Sequence, residues 1–222
     1  MRAASGPVSF CLAGLITAAA GAGVLDDTTI RDAVAAWLAD ATAAEATYGH
    51  ISSWDTSQVT DMAQLFQNSN FDDDINAWDT SAVTNMFATF SYAQQFNQPL
   101  NDWDVSGATS MVSMFSHAES FNQPLDSWDV SRVTSLESMF YYAYAFDQDL
   151  GSWCLAEDAA FSSHAYQGTA CSLLRCGIHF RVGGTCAPTP APTPIQTSAA
   201  GAVAARYWTL TGVLAGAATL LL

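Results

Sequence analysis

Four aspartates recur at one position of the sequence, directly after a tryptophan and two residues before a serine. The aspartates are Asp55, Asp79, Asp104 and Asp129, and the serines are Ser57, Ser81, Ser106 and Ser131. If copies of this segment stack at about 4.8 Å, the carboxylates form a column and repel one another unless they are hydrogen-bonded or bridged by a cation. The pattern has two interpretations. The carboxylates accept backbone N–H bonds and close a turn, or they bind calcium, which takes about six to eight oxygen ligands; no other cofactor is indicated.

Cysteines form the second set of reactive side chains, and they cluster near the C-terminus. Cys11 lies in the leader discussed below, which leaves an even set of four: Cys154, Cys171, Cys176 and Cys186. In an oxidising compartment this predicts two disulfides, and the sequence leaves all three pairings open. Zinc binding by Cys171 and Cys176 is the alternative, and it would require reduced thiols.

The remaining polar residues do not indicate an enzyme. The histidines at positions 50, 117, 164 and 179 form no pair at metal-ligand spacing, and the sequence contains no nucleophile elbow or phosphate-binding loop. A net charge of −15, with six basic residues that are all arginine, excludes nucleic acid as a partner because nucleic acid requires a positive surface. We therefore expect no catalytic residues.

The elements that must position these side chains are repeats. Five tryptophans are spaced by 24, 25, 25 and 25 residues, at Trp54, Trp78, Trp103, Trp128 and Trp153. Self-similarity at this period is typical of a solenoid, in which each coil buries its apolar face on its neighbours. The other predicted core columns are Met62, Met86, Met111 and Leu136; Phe66, Phe90, Phe115 and Phe140; and Phe71, Phe96, Phe121 and Phe146.

Spacings of three and four residues between these apolar positions predict a helical face, or a short strand that runs into a helical turn. We therefore expect an α/β repeat solenoid of four coils over residues 51–153. Residues 26–50 form its N-terminal cap, a helix from Thr29 to Ala46 with Thr29 as N-cap and with Ile30, Val34, Trp37 and Leu38 on one face. Residues 154–186 form a disulfide-stapled C-terminal cap.

Both ends of the chain have the composition of targeting segments. Residues 1–22 resemble a signal peptide, with an apolar run and small residues before Asp26. Residues 187–201 form a Pro/Thr-rich stalk. Residues 202–222 form an apolar tail that is read as a GPI-anchor signal or as a transmembrane helix. The sequence thus predicts a secreted protein that is tethered to the cell surface at its C-terminus.

The repeat pattern W-D-x-S-x-V-T-x-M-x-x-x-F, followed by F-N-x-x-I/L-x-x-W, resembles the BspA-type leucine-rich-repeat surface proteins, which were first grouped among bacterial surface lipoproteins. The resemblance covers residues 51–153 in four copies. It implies a surface-exposed solenoid that is used for adhesion or ligand binding, and it supplies no catalytic residue.

The sequence therefore predicts a non-enzymatic adhesion protein whose partner is an extracellular protein or glycan. The predicted contact residues lie beside the core stripe and are Gln64, Phe87, Val112 and Glu137. The alternative is an acidic structural coat that interacts with calcium or mineral through its charge. Self-association in a surface layer is compatible with either function.

Overall fold

A computed structural model describes residues 23–171, 177–182 and 185–186. It contains helices α1 (Thr29–Ala39) and α2 (Ala41–Tyr48), strands β1 (Cys154–Leu155), β2 (His179–Val182) and β3 (Thr185–Cys186), and 3-10 turns at Ile51–Ser53 and Ser163–Tyr166. The predicted signal peptide at 1–22, the stalk at 187–201 and the anchor at 202–222 lie outside the described residues.

Successive repeats stack through parallel backbone pairing. Single-residue bridges join Asp61 to Asn85, Asn85 to Ser110, Ser110 to Ser135, and Ser135 to Ala160. Next to these bridges, each core residue at the following position donates its N–H to the carbonyl of the next repeat, as in Met62 N to Asn85 O at 2.9 Å. Each unit is therefore held to its neighbour by main-chain hydrogen bonds that do not depend on side-chain identity.

The core runs through the whole stack as columns of identical side chains. Every residue of the predicted tryptophan, methionine/leucine and two phenylalanine columns is buried, none more than 4% exposed. Phenylalanine rings stack both within a unit and between units; Phe90 lies 4.1 Å from Phe96 and 5.5 Å from Phe115 between ring centroids. Burial of aromatic side chains is the largest favourable contribution to such a core.

Each buried tryptophan also makes one polar contact with the preceding unit. The indole Nε1–H of Trp78 donates to Ile51 O, that of Trp103 to Ile75 O, that of Trp128 to Leu100 O and that of Trp153 to Leu125 O, at 2.8–3.0 Å. These bonds satisfy the one polar atom that a buried indole carries. We call this series the indole ladder.

The secondary structure of the repeats differs from the prediction. Residues 54–153, all of which are described, contain turns and isolated bridges, with no helix and no strand longer than one residue. Two positions in each repeat have left-handed backbone with φ of 52–59°: Gln64 and Asn68, Ala88 and Tyr92, Ser113 and His117, and Ser138 and Tyr142. A residue with positive φ ends a right-handed helix, so the three- and four-residue spacing of core side chains arises here from consecutive turns.

The N-terminal helical segment packs against the first repeat but is divided in two. Helix α1 begins at Thr29, so Thr29 is its first residue and not its N-cap; the N-cap is Thr28, and the Asp26 carboxylate accepts the N–H groups of Thr28 and Thr29 at 3.1 and 2.8 Å. Asp40 is extended, with φ −158°, and its side chain accepts the N–H of Ala43 at the start of α2. The prediction of one continuous helix is therefore wrong, because Asp40 competes for the backbone as a new N-cap.

Helix α1 buries Ile30, Val34 and Trp37 against the repeats. Leu38 was predicted on the same face, but it is 42% exposed, so that part of the prediction is wrong. Before the helix, Leu25 N donates to Asp55 O, and the Asp27 carboxylate accepts N–H bonds from Thr60 and Asp61. The N-terminal segment thus covers the first unit where a preceding repeat would otherwise stack.

Residues after Trp153 cover the opposite end. Strand β1 pairs parallel with β2, and β2 pairs antiparallel with β3. A disulfide joins Cys154 to Cys186. A disulfide in this segment agrees with the prediction; Cys176 lies outside the described residues, and zinc binding by Cys171 and Cys176 stays the untested alternative. Tyr166 stacks on Phe140 at 5.7 Å, and burial raises the pKa of its phenol.

Candidate functional site

The recurrent aspartates close turns at one corner of the stack. In each repeat the aspartate Oδ1 accepts the N–H of the serine two residues later at 2.9–3.1 Å. The carboxylate also accepts the serine hydroxyl, at 2.6–2.7 Å for Asp55, Asp79 and Asp104. Bonds from the serine hydroxyl and then from its backbone N–H lower the pKa of Asp55, Asp79 and Asp129. These hydrogen bonds are the ones expected if the carboxylates close turns.

The aspartates are close enough to interact electrostatically, since the charge of Asp79 opposes ionisation of Asp55. Within the described residues, however, no three His, Cys, Asp or Glu side chains converge into a group that could hold a metal ion. The serine bonds account for how the carboxylates are held in the stack. Calcium binding by the column stays a prediction.

The predicted contact residues do not form a single row. Gln64 N donates to Phe87 O, and the equivalent bonds run from Ala88 N to Val112 O and from Ser113 N to Glu137 O. Phe87, Val112 and Glu137 are therefore equivalent, but their counterpart in the first repeat is Ala63, and the assignment of Gln64 to that row is wrong by one residue. Phe87 is 39% exposed and Glu137 is exposed, whereas Val112 is half-buried.

A shallow groove lies between the N-terminal helices and the first repeat. Its volume is about 440 Å³, and its lining includes Trp37, Leu38, Phe71 and Asp73. The Trp37 indole N–H already donates to the Asp73 carboxylate at 2.8 Å. This hydrogen bond therefore joins α1 to the first repeat, and the Trp37 N–H is already used within the protein.

Among the described residues, a group of aromatic rings that are exposed or half-buried gathers around the second left-handed position of the later repeats. We define the tyrosine patch as Tyr92, His117, Tyr141, Tyr142 and Tyr144. Tyr92 and Tyr144 are 46% and 52% exposed, and the other three are half-buried. Exposed aromatic clusters of this kind mark interaction surfaces on soluble proteins.

Ring contacts connect the patch from the second repeat to the fourth. Tyr92 stacks on His117 with centroids 4.2 Å apart and planes within 10°, and His117 lies 5.1 Å from Tyr142. Tyr142 in turn contacts Tyr141 at 4.3 Å and Tyr144 at 5.7 Å. The patch is thus one continuous aromatic surface.

Two polar features accompany the rings of the patch: a raised pKa at Tyr141 and an acidic residue, Glu119. The hydrogen bond between Tyr141 and Tyr142, with the neighbouring phenols, raises the pKa of Tyr141. Glu119, two residues after His117, is held by a 3.0 Å bond from the Gln94 amide, and its carbonyl accepts the N–H of Ala145, directly after Tyr144. Glu119 is therefore the neighbour of Tyr144 in the preceding unit, 25 residues earlier in the sequence.

The repeated backbone conformation sets three residues of the patch in a row. Tyr92, His117 and Tyr142 occupy the second left-handed position of consecutive repeats, and each donates its N–H to the next unit at 2.7 Å. Left-handed backbone costs about 1–2 kcal/mol for a residue other than glycine, and all four repeats adopt it at this position. Our sequence prediction missed these residues, although a comparison of the four copies places all three at the same repeat position.

Stacked repeat units with a helical segment at one end and a disulfide-linked segment at the other define a repeat protein with one aromatic surface. Among the described residues no helix is both long and apolar enough to cross a membrane. The chain belongs to the family described as Mycoplasma protein of unknown function, DUF285, whose model matches residues 36–169, more than half of its length. Neither a curated protein nor a solved structure matches the chain significantly.

Proposed function

We propose that this protein is a non-enzymatic cell-surface binding protein that presents the tyrosine patch to an extracellular partner. In this proposal the stacked units form a solenoid of the BspA-type leucine-rich-repeat kind. The supporting features are the 25-residue repeat, the parallel bridges between units and the continuous aromatic columns.

The observation that carries the proposal is the exposure of the patch. Tyrosine supplies a large, rigid contact area at low cost in side-chain entropy, and aromatic residues are enriched in the buried centres of protein interfaces. Tyr92 and Tyr144 each leave about half of their surface to solvent in a protein that buries every tryptophan of its repeats and every phenylalanine except Phe87.

A binding role without catalysis agrees with how the polar side chains are used. The Asp–Ser pairs, the Asn–Gln pairs after Phe96 and Phe121, and the indole groups all make hydrogen bonds that recur from unit to unit. A position that recurs in every unit serves stacking in every unit, and a catalytic group needs only one place.

We further propose that the protein is secreted and tethered outside the cell by its C-terminal segment. The signal-like residues 1–22, the Pro/Thr-rich residues 187–201 and the apolar residues 202–222 support this proposal at the level of sequence. The disulfide between Cys154 and Cys186 is in keeping with an oxidising compartment.

Two measurements on cells that express the full chain test this function. A membrane-impermeant label should modify the protein on intact cells, and deletion of residues 202–222 should release it into the medium. Adhesion of these cells to surfaces coated with extracellular proteins or glycans should fall when Tyr92 and Tyr144 are both changed to Ser, and should persist in a Leu38→Ser control, which changes an exposed apolar side chain outside the patch. Protein that stays inaccessible on intact cells, or adhesion that is indifferent to the tyrosines, would refute the proposal.

The acidic-coat alternative makes the opposite prediction for the same variants. Binding through charge alone would survive loss of both tyrosines and would fall steeply with salt.

A further inference from the structure

We propose that the partner of the tyrosine patch is a basic protein segment, whose arginine or lysine side chains lie on the exposed rings. This inference rests on the proposed function and specifies its ligand class. It follows from the ring faces that the patch exposes, from the carboxylate beside them and from the distribution of charge along the chain.

The faces of the rings supply the first argument. Aromatic faces carry negative electrostatic potential, and a cation within about 6 Å of the ring centroid is attracted to them. Tyr92 and Tyr144 at the two ends of the patch are about half exposed, so each offers surface that no other ring covers. Arginine also stacks its planar guanidinium on such rings.

The carboxylate of Glu119 supplies the second argument. The carboxylate is held by the Gln94 amide at 3.0 Å, and the Glu119 carbonyl accepts the N–H of Ala145, so Glu119 is the neighbour of Tyr144 in the preceding unit. A cation seated on the rings would therefore find an anion at the rim, a combination that a neutral sugar does not require and that an anionic ligand would avoid.

The distribution of charge supplies the third argument. All 21 acidic residues of the chain lie between positions 26 and 158, a segment with two basic residues, Arg31 and Arg132. Arg31 is paired with Asp61 at 3.3 Å, beside the first repeat. The stack thus carries a strongly negative field, which speeds association with basic partners and repels acidic ones.

A titration of the full chain, folded with its disulfides, tests the inference. The probes are a 12-residue peptide of alternating arginine and serine, its glutamate counterpart, and a neutral chitin tetrasaccharide. We expect the arginine peptide to bind and the glutamate peptide to fail. The double variant Tyr92→Ser/Tyr144→Ser should weaken the arginine peptide about tenfold, since two cation–π contacts are lost.

Matched variants separate the rings from bulk charge. Tyr92→Phe/Tyr144→Phe keeps both ring faces and should bind within about twofold of the wild type. Leu38→Ser removes an apolar side chain of similar exposure outside the patch and should have no effect. Circular dichroism melts of all variants report whether each remains folded, so that a loss of binding can be assigned to the patch.

Each other outcome refutes the inference. If serine variants bind the arginine peptide as the wild type does, the attraction is bulk charge and the rings do not bind cations. If the tetrasaccharide binds in a tyrosine-dependent way and the arginine peptide does not, the ligand is a glycan, and the proposed binding function survives without the cationic partner. If no probe binds, the inference fails, and adhesion of the tyrosine variants on cells decides the proposed function separately.

Discussion

The indole ladder makes a quantitative prediction about stability. Trp103→Phe retains a buried aromatic ring but removes the Nε1–H that donates to Ile75 O at 3.0 Å. That carbonyl keeps the backbone bond from Trp78 N at 3.1 Å, so the substitution leaves no orphaned acceptor. The cost is then the net value of one hydrogen bond, about 1 kcal/mol, and not the larger penalty of an unsatisfied buried group.

Packing adds a second cost at the same site. Trp103 is 3% exposed and contacts Phe90 at 5.9 Å between centroids. Replacing the indole by a smaller ring leaves part of this volume unfilled, which costs about another 1 kcal/mol. The free energy of unfolding should fall by about 2 kcal/mol in total, and Tm should fall by about 4–8 °C for a protein of this size.

Urea unfolding followed by circular dichroism measures the change in free energy at constant m. Trp78→Phe and Trp128→Phe should cost about as much as Trp103→Phe, because their indoles make the same buried bond. Trp54→Phe should cost less, because its indole donates to Gly49 O at 3.1 Å in a less buried place. Met111→Leu is the volume-conserving control. A cost of Trp54→Phe equal to that of Trp103→Phe, or no greater cost for Trp103→Phe than for Met111→Leu, would show that the ladder contributes nothing.

Four further predictions follow from the structure. Folding lowers the pKa of Asp79 and Asp129. Their contribution to stability is therefore present above the ordinary aspartate pKa of 3.8 and is lost as the pH falls through the lower pKa of the folded state. Tm measured from pH 6 to pH 2 should fall at the acid end, and a flat profile would contradict this. Changing both Cys154 and Cys186 to Ser opens a loop with a sequence separation of 32 and should cost about 3–4 kcal/mol in urea unfolding; an unchanged midpoint would mean that the C-terminal segment adds no stability. Replacing calcium by EDTA should leave Tm unchanged, because the serines already bind the aspartate Oδ1 atoms; a calcium-dependent rise of roughly 5–10 °C would instead make the column a ligand set. His117→Gly should maintain or raise Tm by relieving the left-handed strain while weakening binding at the patch; lower stability would mean that the ring contributes more than the strain costs.

The positions of the core could be predicted from the sequence, whereas the path of the chain between them could not. The tryptophan spacing is sufficient to align the four copies, and alignment identifies the buried columns because every unit must bury the same face on its neighbours. The turns were missed because alanine, serine and tyrosine at Ala88, Ser138 and Tyr92 give no local signal for positive φ. Their conformation is imposed by hydrogen bonds to the next unit, and these exist only once the units stack.

The candidate site was not predicted from the sequence. The predicted contact row contained Gln64, which lies one residue after the position that matches Phe87. Finding the patch requires that one position be compared across copies. Tyr92, His117 and Tyr142 are 25 residues apart, so a row of aromatic rings is visible in the aligned copies, but its exposure depends on the backbone that the structure provides.

The limits of the patch are set by what occupies the same position in the flanking units. In the first repeat this position is Asn68, which has the same left-handed backbone and no ring. Beyond the fourth repeat, Tyr142 N donates to Gln167 O, and a Cβ at the next residue, Gly168, would lie 2.5 Å from the Tyr142 ring. The glycine therefore allows the C-terminal segment to pack closely against the last ring of the row. Since every unit adopts the strained turn and only three place an aromatic ring on it, the turn belongs to the fold, and the choice of tyrosine and histidine there calls for a second explanation. A partner that binds across those three units provides one.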